Sequence, residues 1–155
     1  MTRTYTLAAG VLASLAFASA PASAGQGTSN ARAARGATVQ LHRTSLGAIL
    51  VNSNGFTLYR FTRDPRNRNT CAKISECLAN WPALRTSGKQ TAGSGVKASL
   101  LSSIPLAGGG RQVTYAGHPL YIYGAQSERA ETGYVGANQF GGTWDAVSST
   151  GGLVK

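Results

Sequence analysis

The amino-acid sequence predicts a mainly β protein: two tandem hairpin-based repeats packed as one small β domain, behind an export signal and a flexible amino-terminal leader. Three observations carry this expectation. Short runs rich in β-branched and aromatic residues alternate with polar positions around Gly-containing turns. The sequence Leu58-Tyr59-x-Phe61 returns as Leu120-Tyr121-x-Tyr123 at an offset of 62 residues, and each is preceded by a glycine three residues earlier, Gly55 and Gly117. A tryptophan follows each copy, Trp81 lying 20 residues beyond Phe61 and Trp144 lying 21 beyond Tyr123. A lone hairpin is marginal in water, so two copies would bury their apolar faces on each other.

Residues 1–24 read as a signal peptide. Arg3 supplies the positive start, residues 7–20 the apolar stretch, and Ala22-Ser23-Ala24 the small-residue cleavage site. The apolar stretch is too short and too alanine-rich for a membrane span, and no later segment is longer. Neither a twin arginine nor a Cys at position 25 is present, so the expected location is the periplasm or the extracellular medium, without a lipid anchor. Residues 25–38 lack apolar periodicity and read as a flexible leader, and residues 39–155 as a single β-rich domain whose repeats occupy about 41–85 and 96–150.

Within that domain, residues 48–51 and 56–61 flank Asn52-Ser53-Asn54-Gly55, and an Asn-Gly step between β-formers predicts a hairpin. A second hairpin is expected from residues 112–115 through Ala116-Gly117-His118-Pro119 into 120–123. Residues 86–95 read as a Gly/Ser/Lys-rich loop. Residues 96–101 fit either a strand or one helical turn, a choice that short apolar runs do not settle. Residues 143–147 alternate as a final strand. Gly133, Gly136, Gly141 and Gly142 have no phosphate-loop context, so loop geometry explains them better than phosphate binding.

The chain has 155 residues, with 15 Lys plus Arg against 5 Asp plus Glu, a formal net charge of +10. Removing Arg3 with the signal leaves about +9. Outside the inner membrane such a field meets anionic lipid surfaces, wall polymers, acidic polysaccharides and released DNA; the residues give no motif for specific nucleic-acid recognition. The two cysteines, Cys71 and Cys77, enter an oxidising compartment and are expected to form a disulfide. Five intervening residues fit neither the C-x-x-C redox spacing nor a zinc knuckle, although a redox pair remains the competing reading.

The pattern Leu46-Gly47-x-Ile49-Leu50-Val51, then Gly55-x-Thr57-Leu58-Tyr59-x-Phe61-x-x-Asp64, Cys71 to Cys77-x-x-x-Trp81-Pro82, Gln112-Val113-Thr114-Tyr115-x-Gly117-x-Pro119-Leu120-Tyr121 and Gly142-x-Trp144 resembles a secreted-repeat family of unknown function. Its members are bacterial lipoproteins or secreted proteins with a Tyr-x-aromatic-x-x-Asp motif. The resemblance spans about residues 41–150 and implies an envelope or extracellular protein of tandem β-rich repeats, with no established reaction. Three features depart from the family pattern: a wider cysteine spacing, the absent lipobox cysteine, and Gln126 where the second repeat would carry its aspartate.

The candidate site residues are therefore Tyr59, Phe61 and Asp64 in the first copy and Tyr121, Tyr123 and Gln126 in the second. Asp64 reads first as a carboxylate accepting backbone N–H groups beside Pro65, with a ligand or cation contact as the alternative. Repeat-equivalent aromatics read first as core, with ligand stacking as the alternative. Arg60, Arg63, Arg66, Arg68 and Lys73 form the densest basic segment, fit either to bind anions or to blunt a sheet edge. His42 and His118 lack partners at metal-ligand spacing, so no metal and no cofactor is expected. There is no G-x-S-x-G elbow, and nothing in the spacing of Asp64, Glu76, Glu128, Glu131 and Asp145 pairs two carboxylates across a cleft. The leading reading is a secreted non-enzymatic β-repeat protein that associates with anionic envelope or extracellular components. The alternative is a small extracytoplasmic redox or ligand-binding enzyme using Cys71 and Cys77.

Overall fold

The computed structural model of the chain describes Thr2 and residues 36–155. The span expected to be a signal peptide, apart from Thr2, and most of the expected leader lie outside the described residues. The larger compact unit, Arg32–Lys155, is mainly β, built from strands β1 (Thr38–Thr44), β2 (Gly47–Asn52), β3 (Tyr59–Phe61), β4 (Arg85–Thr86), β5 (Thr91–Ala92), β6 (Leu101–Pro105), β7 (Arg111–Tyr115), β8 (His118–Pro119), β9 (Ala137–Gln139), β10 (Gly142–Val147) and β11 (Leu153–Val154). A 3-10 turn at Cys71–Lys73 and the one-turn helix α1 (Cys77–Asn80) lie between β3 and β4. The ambiguous segment resolves into both of its possibilities in succession: a 3-10 turn at Ala98–Leu100 and then β6.

Among the described residues three small sheets form, ordered β2-β1-β5, β11-β10-β3 with β9 also on β10, and β4-β7-β6 with β8 also on β7. The ladder of the first sheet differs from the expected one. β2 pairs along its length with β1, from Val39 against Asn52 to Thr44 against Gly47, around a turn at Ser45 and Leu46. Across Asn52 to Gly55 the chain does reverse, but only Val51 bridges Thr57 before β3 departs to pair with β10. The Asn-Gly turn is not a tight two-residue one, because Asn52 Oδ1 accepts the backbone N–H groups of both Asn54 and Phe56 at 2.9 Å and widens it. In the second hairpin, Ala116 and Gly117 alone make the turn, with φ of 48° and 79°, and His118 and Pro119 already belong to β8.

Many contacts occur in pairs whose members are 62 or 63 residues apart. Val39 opposite Asn52 in β1–β2 matches Leu101 opposite Tyr115 in β6–β7, and the bridge of Val51 to Thr57 matches that of Thr114 to Pro119. Leu58 N–H donates to the Leu50 carbonyl at 2.9 Å as Leu120 N–H does to Val113 at 3.0 Å. Between the halves, Tyr59 and Tyr121 exchange both backbone hydrogen bonds, at 2.9 and 3.0 Å, so equivalent residues meet face to face. Tyr59 then pairs with Ala146 while Tyr121 pairs with Ala83. The loops are exchanged as well. Asn67 N–H donates to the Gly117 carbonyl at 2.6 Å, and Ala130 N–H to the Gly55 carbonyl at 2.8 Å. A Cβ placed on Gly117 would lie 2.8 Å from the Arg66 guanidinium, and one on Gly55 would lie 3.1 Å from the Arg129 side chain. Each turn glycine thus leaves room for an arginine sent across from the other half.

The core divides by chemistry. Leu50, Leu58, Leu84, Val113, Leu120 and Val147 belong to an aliphatic cluster, and Tyr59, Phe61, Trp81, Tyr121 and Trp144 to an aromatic one that also takes in Cys71 and Cys77. Both tryptophans are wholly buried. Replacing either by Ala is expected to cost about 3–5 kcal/mol, the range for removing a large buried ring. Denaturant unfolding of Trp81→Ala and Trp144→Ala checks this, and a loss near zero for either would place that ring outside the core.

Candidate functional site

The motif aromatics are built around the two indoles. Phe61 stacks on Trp144 with centroids 4.3 Å apart, Trp144 on Trp81 at 4.1 Å and 2° between planes, Trp81 meets Tyr123 at 4.8 Å, and Tyr123 meets Tyr134 at 3.9 Å. Five rings therefore form one continuous column. Tyr59 abuts Trp81 edge-on and Tyr121 abuts Trp144 edge-on, each at 5.1 Å. Because alternate residues of a strand share a face, Tyr59 with Phe61 turns inward together. Tyr59, Phe61 and Tyr121 are buried, whereas Tyr123 and Tyr134 are half-buried. Trp81 Nε1 donates to Gln139 Oε1 at 2.8 Å, and Trp144 Nε1 is buried without an acceptor.

Asp64 sits at the end of this cluster, only 5% exposed. Its Oδ1 accepts the Thr70 N–H at 2.8 Å and the Thr70 hydroxyl at 2.5 Å, and its Oδ2 accepts the Tyr121 hydroxyl at 2.5 Å. Burial first, and then the Asp64 charge, push the Tyr121 phenol far above its ordinary range. Gln126 occupies the equivalent turn, its N–H donating to the Tyr123 carbonyl at 3.1 Å as the Asp64 N–H does to Phe61 at 3.0 Å. The side chains then diverge. Gln126 Nε2 donates to the Glu128 carbonyl and its Oε1 is buried without a partner, while the Tyr59 hydroxyl goes to the Glu131 carbonyl at 3.2 Å. The Tyr121 to Asp64 bond spans 57 residues, so local sequence reading of an Asp-Pro turn anticipates a backbone N–H on the carboxylate, which comes from Thr70 six residues on rather than from a turn at Pro65, but not the phenol.

Cys71 and Cys77 are joined in a disulfide with their Cα atoms 5.4 Å apart. Both are wholly buried within the aromatic cluster. The bridge ties the 3-10 turn to α1 and so holds the segment that delivers Trp81.

The structure divides the basic segment. Arg60, Arg63 and Arg66 each donate to a backbone carbonyl, those of Gly151, Phe140 and Ala116, at 2.7–2.8 Å. These three staple β3 and its loop to the other half of the chain. Arg68 and Lys73 are exposed and line a shallow groove with Asn67, Asn69, Leu106 and Ala107. A neighbouring hollow of about 370 Å³ shares Ala72, Leu106 and Ala107 and adds Arg85, and a third, of about 350 Å³, shares Arg85 and adds Arg111. Arg68, Lys73, Arg85 and Arg111 thus follow one another along a run of hollows that no Asp or Glu lines. Arg85 and Arg111 escape sequence reading because they are isolated in the chain; β4–β7 pairing sets Arg111 opposite Thr86, next to Arg85.

On the face of β10 opposite Trp144, Asp145 stands against Arg60 of β3, and the β10–β11 register brings Lys155 beside it. It is 1% exposed and neither carboxylate oxygen has a hydrogen-bond partner. Burial raises its pKa above the ordinary aspartate value, with Lys155 and Arg60 pulling the other way. His118 is pushed below the ordinary histidine value by burial and then by Arg60 and Arg66, against the pull of Asp64. His42 is exposed on β1. Among the described residues no group of three or more His, Cys, Asp or Glu is placed to hold a metal ion, and no helix is long and apolar enough to cross a membrane.

With this geometry in place, residues 41–85 match the model of a family described as a secreted repeat of unknown function. The matched span runs from β1 to β4 and contains Tyr59, Phe61, Asp64, the disulfide and Trp81. No curated protein and no solved structure matches the chain.

Two outcomes follow from these contacts. In a double-mutant cycle of Asp64→Asn and Tyr121→Phe, stability measurements are expected to show a coupling of about 1 kcal/mol or more, as for hydrogen bonds to a charged group; additive losses would mean that the two side chains act independently. For Asp145, a raised pKa in the folded state means that folding favours the protonated acid. Its contribution is fully present below the ordinary aspartate range and is lost as pH rises through its own higher value. Wild type should therefore gain stability relative to Asp145→Asn as the pH falls, and a relative loss on acidification would contradict the assignment.

Proposed function

We propose that the protein is exported by cleavage of residues 1–24 and acts, without catalysing a reaction, as a two-repeat β module that holds an anionic polymer of the cell envelope or extracellular space. The observation that carries this reading is the run of hollows lined by Arg68, Lys73, Arg85 and Arg111 and by no carboxylate. Arginine forks and a lysine spaced along an open groove suit repeated phosphate or carboxylate groups. The positive field of the whole chain would draw such a polymer in, and the groove would decide where it lies. Hollows of this size fit a few monomer units of an extended chain rather than a folded partner. The enzyme alternative rests on an accessible cysteine pair, and the full burial of Cys71 and Cys77 weighs against it.

The test is retention of the mature protein on purified envelope fractions at low salt and its release as salt rises. Lys73→Glu with Arg85→Glu is expected to weaken retention about tenfold, equivalent to about 1.4 kcal/mol. Arg43→Glu with Lys97→Glu changes net charge equally at exposed positions outside the hollows and should have a much smaller effect. Equal losses in the two pairs would reduce the groove to a share of net charge, and salt-insensitive or absent retention would overturn the reading.

A further inference from the structure

We propose that Tyr121 is a one-electron redox site, with Asp64 as its proton acceptor and the stacked rings of Trp144, Trp81, Tyr123 and Tyr134 as its conduit to the surface. Three features of the aromatic cluster converge on this assignment.

The first is continuity. From half-buried Tyr134 the rings of Tyr123, Trp81 and Trp144 follow at 3.9, 4.8 and 4.1 Å, and Tyr121 meets Trp144 edge-on at 5.1 Å. Every neighbouring pair is in or near van der Waals contact, so an electron crosses from Tyr121 to the surface in short steps between easily oxidised rings.

The second is where the oxidised state comes to rest. Losing an electron makes a phenol or indole strongly acidic, and the hole settles where the proton has a base to go to. Trp144 Nε1 has no acceptor, Trp81 Nε1 faces the neutral Gln139 amide, and the hydroxyls of Tyr59 and Tyr115 face the backbone carbonyls of Glu131 and Ser149. The Tyr121 hydroxyl instead points at a carboxylate oxygen 2.5 Å away. The third is protection: Tyr121 is wholly buried, out of reach of solvent and of coupling to another phenol.

The step balances. A radical or high-valent metal oxidant at the surface takes one electron, delivered through the stack from the Tyr121 ring. The Tyr121 O–H bond breaks and its proton forms an O–H bond on Asp64 Oδ2, leaving a neutral tyrosyl and a neutral acid. No new charge is left in the low-dielectric interior; the buried carboxylate charge is removed. Reduction returns electron and proton by the same route. The loss of symmetry between the repeats then has a consequence, because Gln126 is no base and does not bond Tyr59, so only one of the two motif copies forms the site.

The experiment uses the mature chain and a photogenerated ruthenium(III) polypyridyl oxidant in solution, read by transient absorption and electron paramagnetic resonance. Wild type is expected to give a tyrosyl radical that outlives that of free tyrosine by roughly tenfold or more, and Tyr121→Phe to abolish it. Asp64→Asn should cut its yield by roughly tenfold or more, as loss of a positioned base does. In Tyr123→Phe/Tyr134→Phe, where the substitutions keep the half-buried rings, the radical should form more slowly but persist as long. A long-lived radical in Tyr121→Phe, or its disappearance from the Tyr123→Phe/Tyr134→Phe chain, would overturn the proposal. Should Tyr121→Phe or Asp64→Asn fail to fold, the paired surface variant decides alone, since it separates a buried radical from a surface one.

Discussion

The rest of the fold depends on the reciprocal backbone pairing of Tyr59 with Tyr121. Two hydrogen bonds between equivalent residues fix the relative position of two chain segments 62 residues apart. Once they are set, the strand alternation decides which side chains turn inward. Tyr59 and Phe61 on one segment and Tyr121 and Tyr123 on the other then flank the same space, and Trp81 and Trp144 fill it as a parallel stack. The indoles cross between halves: Trp81 takes Tyr59 edge-on and Tyr123 at a tilt of 48°, and Trp144 takes Tyr121 edge-on and Phe61 as a stack. Removing either half would strip the other of one face of its core, which is why neither hairpin needs to be stable alone.

The loops extend the same reciprocity outward. Arg66 and Arg129 each lie over the turn glycine of the opposite half, and the residues after them donate backbone hydrogen bonds to those glycines. This arrangement consumes charge for structure. Arg60, Arg63 and Arg66 cap carbonyls that would otherwise be left at strand and turn ends, while Arg68 and Lys73 of the same segment line the groove.

How far the sequence could be read follows from the range of each interaction. The β class, a reversal beginning at Ala116-Gly117, a strand over residues 143–147 and the burial of the repeat-equivalent tryptophans were legible, because alternation, turn chemistry and duplicated spacing are written locally; the short strand β11 beyond them was not. The partner of β2 was not. The Asn52-to-Gly55 step has the composition of a tight hairpin, yet the Asn52 side chain takes two backbone donors and β3 finds better pairing on β10, more than 80 residues away. The same limit applies to the site. Asp64 was legible as a turn carboxylate, but its bond to Tyr121 and the groove formed by Arg68, Lys73, Arg85 and Arg111 exist only after strands distant in sequence have paired.

The two copies also show how a near-symmetric core tolerates asymmetry. Backbone geometry is kept at positions 64 and 126, where both N–H groups reach back to the aromatic three residues before. The side chains are free to differ because the loops beyond them differ: one carries Thr70 and a disulfide, the other runs through Glu128, Arg129 and Glu131 to Tyr134. A carboxylate can be buried at position 64 because three donors converge on it. At position 126 the equivalent phenol, Tyr59, donates to a carbonyl instead, and a charge there would be buried with too few partners. An uncharged glutamine with one unpaired oxygen is the cheaper occupant. The scaffold thus keeps its packing symmetric and confines charge, and with it any acid–base chemistry of the motif, to one side.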